Sequence, residues 1–269
     1  MRQIITFILV LTSLCIFGQD TQYSDKEIQQ KLDSIKAEGN LLFSLENASW
    51  NSSDLLQENQ KLRDASGPYL TYKNNDTVKT VFLNKEKNLV IAEYAFTNNS
   101  KKPVKEVFSS RALRQNEISL KNIRDKVISQ LSDPKYEVGV PEGFSLNIIT
   151  IPFNEYYKTY LIAGASQAGV IPFGNDYLFI SDKEGNIISS KRFHSRLIPA
   201  FTSGENGTLT MATHSHLRTT PFISATDICT FKLYAPFSKL EEFSVYSPAL
   251  QCYMKYNYKK DILEVSKKP

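Results

Sequence analysis

The stretch Thr208–Pro236 reads TLTMATHSHLRTTPFISATDICTFKLYAP and predicts a strand, a loop and a helix in succession. The strand is expected over 208–216, and it ends with the pair His214 and His216. The helix is expected over 225–235, with Ser224 or Thr226 as its N-cap, and Pro236 stops it because proline cannot continue a helix. A strand that leads through a loop into a helix indicates a fold of mixed α and β type.

The sequence on either side supports the same fold class. Two closing strands are predicted at about 242–247 and 250–265, and two apolar, β-branched runs between 144 and 165 are typical of strands. A helix begins with the capping box Ser24-Asp-Lys-Glu27, and Gly39-Asn40 is expected to end it. We therefore predict an α+β fold with mixed or antiparallel sheets and a few flanking helices.

A domain boundary is expected near residue 140. Asp133-Pro134 and Pro141-Glu-Gly143 separate a predicted second helix from the β-rich sequence that follows. We predict an N-terminal region of helix and β-meander over 20–140 and a β-rich C-terminal domain over 141–269.

Residues 1–19 are predicted to be a secretory signal peptide. Arg2 precedes a mostly apolar run from Ile4 to Leu14, and Gly18 then leads into polar sequence. The run is shorter than the roughly 20 residues that a membrane-spanning helix needs. Leu14 precedes Cys15 where a lipoprotein signal has a small residue, so cleavage is favoured over a lipid anchor. We expect an exported protein, periplasmic or secreted, without a stable membrane span.

The charge pattern limits the classes of binding partner, and the cysteine content limits the possible disulfides. The formal net charge is +4, and the lysines are scattered among acidic residues, which argues against a nucleic-acid-binding surface. Two cysteines remain after the signal peptide, Cys229 and Cys252. They could form a disulfide in an oxidising compartment, or they could be two buried thiols.

The three histidines of the chain fall within 23 residues, from His194 to His216. On a strand, the side chains of His214 and His216 project from the same face, with Cα atoms about 6–7 Å apart. Asp227 follows in the first turn of the predicted helix, where a negative charge suits the helix dipole. Two imidazoles and one carboxylate make three ligands for Zn²⁺ and leave a fourth position for water.

The spacing H-S-H-x7-S-x2-D, from His214 to Asp227, resembles the signature of the JAMM (JAB/MPN+) metallopeptidases. The resemblance covers about residues 205–266, and it implies His214, His216 and Asp227 as zinc ligands. It also implies Ser224 as the oxyanion donor. An upstream glutamate takes a proton from the zinc-bound water in that family, and Glu155 is the one glutamate at a comparable separation. Leu217 stands where the family usually has proline.

The resemblance implies a zinc-dependent hydrolase of amide or peptide bonds. In an exported protein, a peptide or a cell-wall amide is the expected substrate. His194 is either a further ligand or a hydrogen-bonding strand residue.

Other interpretations remain open at the level of sequence. A Ser-His-Asp triad could be drawn from Ser215, His194 and Asp227, but no G-x-S-x-G motif supports it. Asp176 is interpreted as part of a turn before a strand. The competing hypothesis is an exported, non-enzymatic β-rich binding or envelope protein whose histidines and Asp227 are structural or bind metal without turnover.

Overall fold

The computed structural model describes residues 23–97, 99–204 and 207–269. The predicted signal peptide over 1–19, and with it the expectation of export, lies outside these residues. Within the described part of the chain, no helix has the length and apolar character needed to cross a membrane.

The described residues form four α-helices and seventeen strands, which confirms the predicted α+β class. The helices are α1 (Asp25–Glu58), α2 (Gln60–Ala65), α3 (Gln115–Gln130) and α4 (Ala225–Tyr234). The strands of the first half are β1 (Ser66–Asn74), β2 (Thr77–Asn84), β3 (Leu89–Phe96), β4 (Lys105–Val107), β5 (Arg111–Ala112), β6 (Phe144–Phe153) and β7 (Tyr156–Ala165). The others are β8 (Val170–Gly174), β9 (Tyr177–Ser181), β10 (Ile187–Arg192), β11 (Leu197–Phe201), β12 (Ser203–Gly204), β13 (Gly207–Thr208), β14 (Ala212–Ser215), β15 (Glu242–Ser247), β16 (Cys252–Asn257) and β17 (Ile262–Ser266).

The strands form three larger sheets and two short ribbons. Strands β1 to β5 form an antiparallel meander, and β10-β9-β7-β6 is a second antiparallel sheet. The third sheet has the order β14-β15-β16-β17, with β14 parallel to β15 and the other pairs antiparallel. The ribbons are β11-β8 and β12-β13. Where one closing strand was expected over 250–265, the chain instead makes the hairpin β16–β17, because it turns at Asp261 with φ of 51°.

Helix α1 begins as predicted, with the capping box of Ser24 and Glu27, but the expected end at Gly39 is wrong. The helix continues to Glu58, and Gly39 lies inside it at the contact with α4 instead of capping its end. A Cβ atom at Gly39 would lie 2.7 Å from Cβ of Ile228 in α4 and 3.1 Å from the carbonyl oxygen of Ala225. The missing side chain lets α1 lie directly on the first turns of α4.

We expect Gly39→Ala to lower the free energy of unfolding by about 1–2 kcal/mol. Alanine gains up to about 1 kcal/mol in helix propensity, whereas overpacking costs about 1–3 kcal/mol. We expect an overpacking cost in the upper part of that range, about 2–3 kcal/mol, because the nearest atom is Ile228 Cβ, which is bonded to the backbone and cannot rotate away. Urea unfolding measures the difference. Gly139→Ala is the control, since a Cβ there meets nothing within 4 Å. Equal stability of the two variants would contradict the packing argument.

The main core lies between α1, α4 and the third sheet. Leu32 of α1 belongs to the same buried cluster as Phe231 of α4 and Val245 of β15. Helix α1 thus packs across both sides of the predicted boundary near residue 140, and the division into 20–140 and 141–269 stays a prediction. Cys229 and Cys252 are buried free thiols, which decides against the disulfide.

Candidate metal centre

Strand β14 places His214 and His216 on the same side, as the H-x-H spacing predicts. Both imidazoles are buried, whereas Ser215 between them is exposed. The pairing with β15 continues past the end of β14, because the backbone N–H of His216 donates to the carbonyl of Tyr246 at 3.0 Å. The ring of Phe173 packs on His214 with 5.1 Å between centroids, so apolar contacts hold this imidazole in place.

Helix α4 supplies the carboxylate. Ser224 is the N-cap, and its backbone N–H and hydroxyl donate to Asp227 Oδ2 at 2.9 and 2.7 Å. The N–H of Asp227 donates back to Ser224 Oγ at 3.0 Å, which completes a buried capping box. Oδ2 is thereby fixed and lies 3.1 Å from His216 Nε2, and Oδ1 faces His194 and His214.

His194 joins the same site from the segment between β10 and β11. The close approach depends on Gly174, which has φ of +76° and whose Cβ, if present, would lie 2.3 Å from the carbonyl of Arg196. At this turn the backbone of Asp176 holds the segment that carries His194, because Phe193 N–H donates to the Asp176 carbonyl at 3.2 Å. Asp176 Oδ1 then accepts from His194 Nδ1 at 2.7 Å.

His194, His214, His216 and Asp227 form a compact group, the His3Asp cluster, whose candidate ligand atoms all lie within 4.8 Å of one another. His194 Nε2 is 3.3 Å from His214 Nε2 and 2.8 Å from His216 Nε2. Asp227 Oδ1 is 3.4 Å from His194 Nε2 and 3.3 Å from His214 Nε2. Ligand atoms around a tetrahedral zinc ion, with bonds of about 2.0–2.1 Å, lie about 3.3–3.4 Å apart. Three of these four separations match that spacing, and the His194–His216 separation is shorter.

Two further observations are compatible with a cation at the centre of the cluster. Asp227 Oδ1 is buried without a hydrogen-bond partner among the described residues, although it faces two imidazoles. His216 Nδ1 lies 3.2 Å from the carbonyl of Thr220, which can only accept, so this nitrogen carries the hydrogen. In the neutral ring Nε2 then presents a lone pair to the centre. The His194–Asp176 contact orients the third imidazole in the same way, as carboxylates do for metal-binding histidines.

The site favours positive charge. Burial alone would lower the pKa of His194, but the carboxylates of Asp227 and Asp176 outweigh it and raise that pKa to about 9. Burial lowers the pKa of His214, which favours its neutral form. Although burial would raise the pKa of Asp227, His194 and His214 hold it well below its ordinary value. Two carboxylate groups, those of Asp176 and Asp227, thus lie beside three imidazoles, a set of donors that would suit a divalent cation.

The structure brings together the three predicted ligands, His214, His216 and Asp227. It adds His194 to them, which fits the role of a further ligand, one of the two roles left open for this residue. It does not place Glu155 with them. Glu155 lies in the turn between β6 and β7, its side chain is 77% exposed and it pairs with Lys183, so the assignment of Glu155 as the base loses its structural basis. Ser224 is the helix N-cap, and its hydroxyl already contacts Asp227 and Thr226.

Asp176 is the residue that sequence reasoning misinterpreted. Asp176 does lie in a turn, as the sequence predicts. Its buried carboxylate has a second role, because Oδ1 accepts a hydrogen bond from His194 and Oδ2 accepts one from the hydroxyl of Thr226. The signal in the sequence was indirect: Gly174 before Asn175-Asp176 marks a place of close backbone approach.

A groove of about 350 Å³ leads from the surface to His214. Strand β11 and residues 209–214 line it, and its apolar side chains include Phe201 and Met211, which are 59% and 56% exposed. Of the His3Asp cluster, His214 alone is among the residues that line the groove.

Comparison of the chain with protein-family models, curated proteins and solved structures finds no match. The likeness to JAMM metallopeptidases therefore rests on the spacing of His214, His216, Ser224 and Asp227. The function is inferred from these residues and their geometry.

If the cluster binds a divalent metal ion, we expect Asp176→Asn to weaken that binding about 10–100-fold, the effect typical of removing a carboxylate that supports a metal-binding histidine. The amide still accepts a hydrogen bond but no longer raises the basicity of His194. Competition with a chromophoric chelator measures the affinity. Asp182→Asn, in the exposed β9–β10 turn, is the control. If Asp176→Asn binds the ion as tightly as the wild type, the hydrogen bond between His194 and Asp176 does not contribute to metal binding.

Proposed function

We propose that this protein is an exported zinc-binding protein in which the His3Asp cluster supplies four ligands to one ion. The observation that carries the proposal is the convergence of three imidazole nitrogens on the buried Asp227 carboxylate: His194 and His214 face Oδ1, and His216 faces Oδ2. Export is proposed from the N-terminal sequence 1–19 alone.

The choice of zinc follows from ligand type and spacing. Imidazoles suit zinc, copper, iron and nickel, whereas magnesium and calcium prefer oxygen ligands. His194 Nε2 lies 2.8–3.4 Å from a ligand atom of each of the other three residues, close to the separation in tetrahedral coordination, which zinc adopts readily. Four protein ligands in a buried site are typical of zinc held for structure or binding.

Metal analysis tests this proposal. Protein produced without a histidine tag should contain about one zinc per chain, and His216→Ala should contain much less. Asp182→Asn is the control for a substitution outside the site. Wild-type protein that takes up no zinc after chelation and reloading would refute the proposal, provided that circular dichroism shows it to be folded.

A zinc-dependent hydrolase of peptide or cell-wall amide bonds is the second candidate function. The observation in its favour is the groove that ends at His214, since a substrate needs a path to a catalytic ion. A zinc ion held by His214, His216 and Asp227 would supply Lewis acidity and a water of lowered pKa. The positive ion would favour the neutral form of His194, and this ring, oriented by Asp176, would then accept a proton, the part assigned to Glu155 on sequence grounds.

The two candidates assign different roles to His194 and can be separated by His194→Gln. If His194 is a ligand, the variant binds zinc more weakly. If it is the base, the variant keeps its zinc, and hydrolysis of fluorogenic peptide or peptidoglycan-fragment amides falls by about 10²–10⁴-fold, the usual contribution of general-base catalysis. Zinc-loaded wild type that hydrolyses none of these substrates would eliminate the hydrolase candidate and leave the binding function intact.

A further inference from the structure

A second cavity, separate from the His3Asp cluster, lies between the N-terminal helices and the first two sheets. Its volume is about 400 Å³, within the range of about 300–1,000 Å³ that is common for ligand pockets. Helix α1, helix α3, strand β1 and the β6–β7 hairpin each contribute side chains to it. None of its lining residues belongs to the metal centre.

The wall of the cavity is largely apolar. Leu41 and Leu45 line it from α1, Leu120 from α3 and Ile151 from β6. The polar groups in this wall already have partners: the hydroxyl of Tyr72 donates to Glu117 at 2.6 Å, and Thr150 is hydrogen-bonded to Thr159 at 3.1 Å. This part of the cavity therefore suits a hydrocarbon group.

Four further residues with polar groups line the cavity: Lys73, Asn116, Ser119 and Tyr157. Among the described lining residues, Lys73 is the one charged side chain, and it forms no ion pair with any described residue. Asn116 and Ser119, one turn apart on α3, likewise have no side-chain hydrogen bond within the described part of the chain. An ammonium, an amide and a hydroxyl can all donate, and no carboxylate competes with them in the lining.

We infer that this cavity binds a small amphipathic anion, an alkyl carboxylate, with its charged group at Lys73 and its chain against the leucines. The volume corresponds to about thirteen water molecules at roughly 30 Å³ each, so a ligand of about a dozen non-hydrogen atoms fits. The site is independent of the proposed metal function.

Titration calorimetry with decanoate tests the inference, with decyltrimethylammonium as a probe of equal chain length and opposite charge, both below their micellar concentrations. Decanoate should bind saturably with one site per chain, and the cation at least tenfold more weakly. Lys73→Ala should weaken decanoate binding about three- to fivefold, the effect of one exposed ionic contact. Lys85→Ala, in the exposed β2–β3 turn, should bind like the wild type.

A cavity-filling substitution provides the second arm. Ser119→Trp should abolish decanoate binding while the circular dichroism spectrum and zinc content stay those of the wild type. Should that variant fail to fold, Asn116→Trp at the exposed rim replaces it. Absence of saturable decanoate binding, equal binding of the cation, or wild-type binding by a folded Ser119→Trp protein would each overturn the assignment.

Discussion

Replacing Asp227 by alanine is expected to lower the free energy of unfolding of the metal-free protein by about 3–5 kcal/mol, the cost typical of removing one partner of a buried ion pair. Asp227 Oδ2 accepts two hydrogen bonds from Ser224, and Oδ1 faces His194 and His214. Its loss leaves a buried N–H without an acceptor, and it leaves the charged His194 with Asp176 as its remaining carboxylate neighbour in the site.

Helix α1 offers a matched control for this substitution. Glu27 occupies the same capping-box position relative to Ser24, and its carboxylate accepts from Ser24 N–H at 2.8 Å. That box is exposed and contacts no imidazole, so Glu27→Ala should cost about 0.5–2 kcal/mol, the ordinary value of a cap. Urea unfolding in excess chelator measures both variants.

The difference between the two variants isolates what burial and the histidines add to a helix cap. A loss in Asp227→Ala no larger than that in Glu27→Ala would show that Asp227 is only a capping residue. The proposed metal centre would then have no support for Asp227 as its carboxylate ligand.

Short-range regularities made part of the metal centre predictable from sequence. The alternation of a strand sets His214 and His216 on one face, and a helix cap at Ser224 sets Asp227 in the first turn. Both follow from spacings of two or three residues, and both are confirmed. The α+β class was predictable for the same reason, since helix caps and β-branched runs are local signals.

The rest of the site depends on contacts between distant parts of the chain. His194 and Asp176 meet because β8 pairs with β11 and because Gly174 lets the backbone pass closely. No local pattern contains that pairing. Glu155 was selected by its separation along the sequence, but the β6–β7 turn carries it to the surface beside Lys183. The end of α1 was misplaced similarly, because Gly39 faces Ile228 almost two hundred residues later.

Removing zinc from the wild-type protein is expected to lower its melting temperature by roughly 5–16 °C. An ion that binds only the folded chain stabilises it by about 2.7 kcal/mol at 100 times Kd and by about 4.1 kcal/mol at 1,000 times Kd. For chains of about 150–250 residues, each kcal/mol corresponds to about 2–4 °C. The His3Asp cluster assembles only when β14, α4 and the β10–β11 segment are all in place, so the unfolded chain does not hold its ligands together.

Calorimetric melting of chelator-treated protein, before and after zinc is restored, measures this shift. His216→Ala should melt at the same temperature with and without zinc, because the remaining residues lack one imidazole of the set. Magnesium should not restore the melting temperature of the wild type, since it prefers octahedral oxygen ligands. If zinc shifts His216→Ala as much as the wild type, the ion binds elsewhere and the cluster is a buried network of imidazoles and carboxylates. A reversible shift confined to proteins with all four residues would instead assign the stabilisation to this site.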